Sequence, residues 1–162
     1  MTTPIISQRR GRRIAMSPEE IDVFLGEERT CRLATSSSNH GPRLTALLFI
    51  WHESSIWLNS IVASQRWTDI QRDPRVAILV DAGVGYQELR GVEMIGSIEV
   101  VGEVPRQGEV VPALSEPERL FGLKYRNNPE PIYDGKHAWL RMKPTSVVSW
   151  DFRKSGLPAK LE

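Results

Sequence analysis

Residues 88–103 read ELRGVEMIGSIEVVGE, and this stretch decides the fold. It is long and mostly apolar, yet it carries Gly91, Gly96 and Gly102. A glycine inside a strand marks a bulge or a sharp bend, which is how a barrel turns a corner. Directly upstream, RVAILVDA (75–82) is a β-branched strand and GVGY (83–86) a loop. Further upstream, residues 30–59 read as three strands. Thr30 to Ser36 alternates, SSNHGP turns, Arg43 to Trp51 is a longer apolar strand, HESS turns again, and Ile56 to Asn59 follows. Downstream, VPRQGEVVPAL (104–114) reads as a linker, and HAWLRMKP (137–144) and TSVVSWDF (145–152) as two closing strands.

Helices interrupt this pattern. MSPEEIDVFLGEE (16–28) opens on a capping box, with Ser17 as cap, Pro18 at the first helical position and Glu20 three residues after the cap. Ile21, Phe24 and Leu25 form its apolar stripe, and it ends near Gly26. Ser64 caps a second helix whose Trp67 and Ile70 share a face, and Pro74 stops it near Asp73. SEPERLFGLKYR (115–126) repeats the capping pattern with Ser115 and Glu118. The sum is a mainly β chain of about seven or eight strands, mostly in meander order, with two or three short helices. Short strand spacings and corner glycines favour a closed barrel over an open sheet.

The gross numbers fit one domain. The chain has 162 residues, 40% hydrophobic and 25% charged, with 21 basic and 20 acidic residues. A net charge of +1 supplies no field that steers the chain to nucleic acid or membrane. Four arginines, Arg9, Arg10, Arg12 and Arg13, stand together in residues 1–13. Without interleaved aromatics they argue for a basic flexible tail, solvated or reaching over a neighbouring subunit, and against a nucleic-acid arm. The expected organisation is that tail, a single domain over 14–155, and a C-terminal tail over 156–162. One cysteine, Cys31, allows no internal disulfide, and no signal peptide or membrane span is visible, so the expected compartment is the cytoplasm.

Catalytic motifs are missing. There is no G-x-S-x-G, P-loop, G-x-G-x-x-G or H-E-x-x-H. His40, His52 and His137 are scattered, which argues against a three-histidine metal site. Cys31 alternates with Leu33 and reads as a buried structural thiol. A chain without nucleophile or metal ligands can still catalyse through a cofactor, which turns attention to anion binding.

NSIVASQRWTDIQRDPR (59–75) carries such a feature. A helix N-terminus offers unpaired N–H groups and a positive dipole end. Ser60 and Ser64 add hydroxyls, and Arg66 adds a guanidinium that can bind phosphate with two hydrogen bonds. Arginine in a first helical turn opposes the dipole, so its placement asks for a reason. Spacing alone leaves two readings open: a plain cap with an exposed arginine, or an anion site.

The series TCRLAT, GPRLTALLFIW, IWLNSIVASQRWTDIQRDPRVAILVD, YQELRGVEMIGSIEVVGE and HAWLRMKPTSVVSWDFRK resembles the pyridoxamine 5'-phosphate oxidase-like FMN-binding split-barrel superfamily. Within it, the chain is most similar to the actinobacterial flavin/deazaflavin oxidoreductases that use coenzyme F420 or FMN. The resemblance spans residues 14–155. It implies a six-stranded split β-barrel with short flanking helices, forming a homodimer with cofactors in grooves between subunits. It places the cofactor phosphate at Ser60, Ser64, Gln65 and Arg66, where relatives often carry lysine in place of Arg66. It places the ring system along the second strand near Thr45, Leu47 and Phe49, with Asn59 and Ile61 alongside. Trp67, Tyr86 and Trp150 are the candidate walls, whereas Trp57 and Trp139 read as core. No catalytic residue and no metal ligand is assigned, and protonation is expected from solvent or from Thr45 or Tyr86. The implied activity is hydride transfer between F420 and an unsaturated small molecule. The alternatives are an FMN-binding oxidoreductase of the same fold and a non-catalytic cofactor carrier.

Overall fold

The computed structural model describes residues 8, 9 and 11–156. The expected C-terminal tail beyond Gly156, and Arg10 of the arginine cluster, lie outside the described residues. Helix α1 (Pro18–Glu27) leads into strands β1 (Thr30–Ser37), β2 (Gly41–His52) and β3 (Ser55–Ile61). Helix α2 (Gln65–Arg72) precedes β4 (Arg75–Ala82) and β5 (Arg90–Val101). Helix α3 (Pro112–Arg126) and β6 (His137–Asp151) complete the barrel.

The six strands close in the order β1-β2-β3-β6-β5-β4, every pair antiparallel. Two three-stranded meanders are thus joined edge to edge, β1 meeting β4 over Arg32–Ala34 and β3 meeting β6 over Ile56–Ile61. The strand count is six rather than seven or eight because HAWLRMKP and TSVVSWDF are one continuous strand. Its Pro144 does not break β6, since it sits where the pairing with β5 shifts register, between Ile95 and Gly96. A proline has no N–H to lend to a ladder, so a register shift is where a strand tolerates one. The corner glycines account for themselves here. A Cβ on Gly96 would lie 2.6 Å from Met142 Sδ, and one on Gly91 would lie 2.5 Å from the Trp150 ring. Bare backbone at both positions lets β5 press against β6 through the bend.

Alternation decides the inside. Cys31, Leu33, Phe49, Ile56, Leu58, Ile78, Val80, Val92, Met94, Ala138, Leu140 and Met142 fill the barrel. Burial pushes the Cys31 thiol up to about 12, so it stays protonated as a structural thiol. A second cluster of Ile50, Trp57, Leu114 and Trp139, backed by Phe121, lies outside the barrel beneath α3.

Local signals act as their chemistry requires. Ser17 and Glu20 close a full capping box, and Ser64 Oγ accepts the Trp67 N–H at 3.3 Å. The third cap is different from its expectation. α3 begins at Pro112 with Val111 before it, so Ser115 lies within the helix and part of the expected linker is helical. Pro112 suits the first helical position. Pro117 then falls inside the helix, where it gives up one bond to the carbonyl of residue 113. Glu118, freed from capping, pairs with Arg106. Of residues 1–13, Gln8 exchanges two hydrogen bonds with the Ser149 backbone, and Arg12–Ile14 forms a 3-10 turn. Among the described residues no helix is long and apolar enough to cross a membrane.

Candidate functional site: a groove under α3 with a cationic end

A groove of about 390 Å³ lies on the outer face of the barrel. Its floor comes from β2 (Ala46, Leu47, Leu48), β3 (Asn59, Ile61) and β6 (His137, Trp139). Its wall is Glu118, Phe121 and Arg126 of α3 with Pro131, Ile132 and Asp134 of the following loop, and Arg66 completes it. Volume and mixed lining fall in the range of small-molecule sites.

Arg66 is the unusual member. It is half-buried, and among the described residues its one hydrogen-bond partner is Ser60, whose Oγ accepts from Nε at 3.0 Å. Desolvation pulls the guanidinium below its ordinary value. A cation withdrawn from water with only a neutral hydroxyl beside it is an electrostatic cost that an anion would offset. Ser60 is fully buried at the inner side of β3, where it aims Arg66. Ser64 is committed to the helix: it accepts from Trp67 N and donates to Ile61 O at 2.7 Å. Gln65 Nε2 donates to Asp69 Oδ1 at 3.1 Å. That bond, ahead of the flanking Arg72 and Arg43, holds the buried Asp69 carboxyl below its usual range.

The expected site residues therefore divide. Asn59, Ile61, Arg66 and Leu47 line one groove, with Ser60 and Ser64 supporting its cationic end. Thr45, Leu47 and Phe49 do share a face, but it is the barrel's inner one, so Leu47 borders the groove while packing against the core. Their cross-strand neighbours Leu33 and Cys31 are fully buried there. The outer face of β2 is the intervening set, Leu44, Ala46 and Leu48. Both sets are largely apolar, so alternation paired the residues without telling inside from outside. Trp67 is core, packed with Ile70 under α2. Tyr86 is 62% exposed and stacks on Phe152 at 4.8 Å, and Trp150 covers Gly91, both away from the groove. Trp57 is core as expected, with Arg141 over its ring at 5.3 Å. Trp139 is buried and also backs the groove, meeting Phe121 edge-on at 5.5 Å.

Sequence reading missed Phe121, Arg126, Asp134 and His137. The last two had a signal, an Asp three residues before a His in the turn YDGKH. Asp134 Oδ2 meets His137 Nδ1 at 2.6 Å.

A sequence model described as "Pyridoxamine 5'-phosphate oxidase" matches residues 17–151. The chain belongs to the pyridoxamine 5'-phosphate oxidase family. Its fold is shared by solved structures. The conserved hypothetical protein Rv2991 from Mycobacterium tuberculosis is 31% identical, with TM-score 0.78 over 96% of this chain and 97% of that one. An F420 reductase is 20% identical, with TM-score 0.58 over 81% and 98%. A FAD-binding protein from Mesorhizobium loti is 16% identical, with TM-score 0.57 over 83% and 94%. No curated protein matches the chain. These likenesses extend the shared fold to an F420 reductase and a FAD-binding protein.

Proposed function

We propose that this chain is an oxidoreductase that moves a hydride between coenzyme F420 and an unsaturated organic substrate. The observation that carries the proposal is Arg66: half-buried, partnered among the described residues only by Ser60, and lining a groove backed by Phe121 and Trp139. The residues fit a phosphate-bearing ring cofactor. Arg66 and the α2 N-terminus would hold its phosphate, while Asn59, Ile61, Leu48 and Phe121 would hold the remainder. The cofactor supplies the hydride chemistry when bound; the protein's work is orientation and exclusion of water.

A homodimer belongs to this proposal. Leu44, Leu48 and Ile61 are 69%, 40% and 41% exposed on the outer faces of β2 and β3. A second copy would cover them and close the groove. Tyr86 lies away from the groove of its own chain, so a contribution from it requires that second copy.

The F420 reductase and the FAD-binding fold relatives keep FMN as the second reading, and a non-catalytic carrier as the third. Side-by-side titration of the purified protein with F420 and FMN separates them. A colourless protein that binds F420 and reduces enones supports the first, and a yellow protein that retains FMN supports the second. Tight binding without turnover across enones, quinones and tetrapyrroles supports the carrier. Binding of neither cofactor overturns all three.

A further inference from the structure

We propose that His137, held by Asp134, joins Arg66 at the groove's anionic-ligand end, gripping the cofactor phosphate through Nε2. This rests on the cofactor site proposed above. Two observations on different elements point to it. His137 opens β6 directly opposite Ile61, the last residue of β3, and Val62 N donates to Lys136 O at 2.9 Å. The imidazole is thereby fixed beside the backbone that runs on into the Ser64–Arg66 turn. Both His137 and Asp134 line the same groove as Arg66.

The pair is locked in one orientation. Asp134 Oδ1 accepts the backbone N–H groups of Lys136 at 2.9 Å and His137 at 3.1 Å, and Oδ2 faces the ring at 2.6 Å. The Lys136 N–H first, and the His137 ring after it, keep the Asp134 carboxyl below its ordinary range, so it stays an anion. A carboxylate at that distance fixes the proton on Nδ1. Nε2 has no hydrogen-bond partner among the described residues. In the neutral ring it is a bare acceptor, and in the imidazolium it is a charged donor.

The other charged groups of the groove leave this role open. Glu118 is engaged by Arg106, with Nε to Oε1 at 2.6 Å, so it does not compete for the imidazole. Arg126 donates through Nη2 to Glu130 O at 2.6 Å. Arg66 and Arg126 have no acidic partner among the described residues, and His137 adds a ring nitrogen beside Arg66's end of the groove. A turn cap alone would need Oδ1 of Asp134 but not the Oδ2 contact with the ring.

The test compares ligands that differ only in phosphate: FMN against riboflavin, and the deazaflavin 5'-monophosphate against the phosphate-free deazaflavin. The ratio of the two affinities isolates the phosphate contribution. We expect wild type to favour the phosphorylated ligand by roughly tenfold or more at pH 6. His137→Gln should lower that ratio several-fold at pH 6. Asp134→Asn keeps an oxygen for the two backbone N–H groups but removes the charge, and should lower the ratio in the same direction. A ratio that is intact in wild type, lost in Arg66→Ala and unchanged in both His137→Gln and Asp134→Asn overturns the His137 assignment alone. Equal affinity for both members of each pair in wild type overturns the phosphate site itself, and His137 with it.

Discussion

Arg66 and Arg106 are two arginines drawn away from water, and they are opposite cases. Arg106 is almost wholly buried and saturated. Its Nε and Nη2 reach both oxygens of Glu118 at 2.6 and 3.3 Å, and Nη1 reaches Glu103 and the Glu109 carbonyl. Its backbone N–H also donates to His137 O at 2.7 Å, and its guanidinium lies 5.2 Å from the Tyr133 ring. Those acids, Glu118 foremost, raise its pKa, whereas burial lowers that of Arg66. One guanidinium has every direction filled by its own chain and fastens the segment after β5 to α3 and β6. The other has one neutral hydroxyl and an open groove. A withdrawn arginine that is satisfied is scaffold; the proposed function makes the unsatisfied one a ligand contact.

The sharpest way to break that contrast is Arg106→Ala. It leaves the buried Glu118 and the half-buried Glu103 without their counter-charge, and should cost about 3–5 kcal/mol of stability. Thermal or urea unfolding measures it, and a melting point within error of wild type would dissolve the distinction. Arg66→Ala should do the reverse: unaltered melting, and cofactor affinity weakened by about 1.5–3 kcal/mol, the usual worth of a hydrogen bond to a charged group. Isothermal titration with F420 and FMN reads it. Unchanged affinity removes the phosphate assignment.

Ser60→Ala sharpens the picture from behind. It removes the hydroxyl that accepts from Arg66 Nε and should weaken cofactor binding by about 0.5–1.5 kcal/mol. An effect equal to that of Arg66→Ala would mean that Ser60 itself contacts the ligand. A third arginine supplies the smallest effect. Exposed Arg75 hydrogen-bonds to Asp73 and, as the largest influence, holds its carboxyl down at about 2 from 3.8. The native state therefore binds that proton less readily than the unfolded chain. The pair's contribution is present above pH 3.8 and is lost as pH falls through about 2. The stability difference between wild type and Asp73→Asn, followed by circular dichroism, should shrink across that window and not above it.

Much of the local structure was legible in the residues. Ser17 with Glu20, Ser64 before Gln65, and Pro74 after Asp73 set helix ends through backbone chemistry that acts within a few residues. Gly96 announced a bend, and the register shift falls beside it. Ser115 misled because a good cap is only an option: Pro112 opened the helix three residues earlier. Arg66 was visible as an arginine placed against the dipole. Its isolation was not, since that depends on which groups the fold brings near.

The chain by itself determined the sequence of strands and helices, the bend in β5 and the charge that stands at the start of α2. These rest on dihedral preferences, caps and side-chain periods, all short-range. Only the tertiary structure decided which apolar face of β2 turns inward, that β6 runs unbroken through Pro144, and that the Asp134–His137 pair shares a groove with Arg66. Those are contacts between residues far apart in sequence, and closure of the barrel selects among arrangements that local propensity leaves nearly equal in energy.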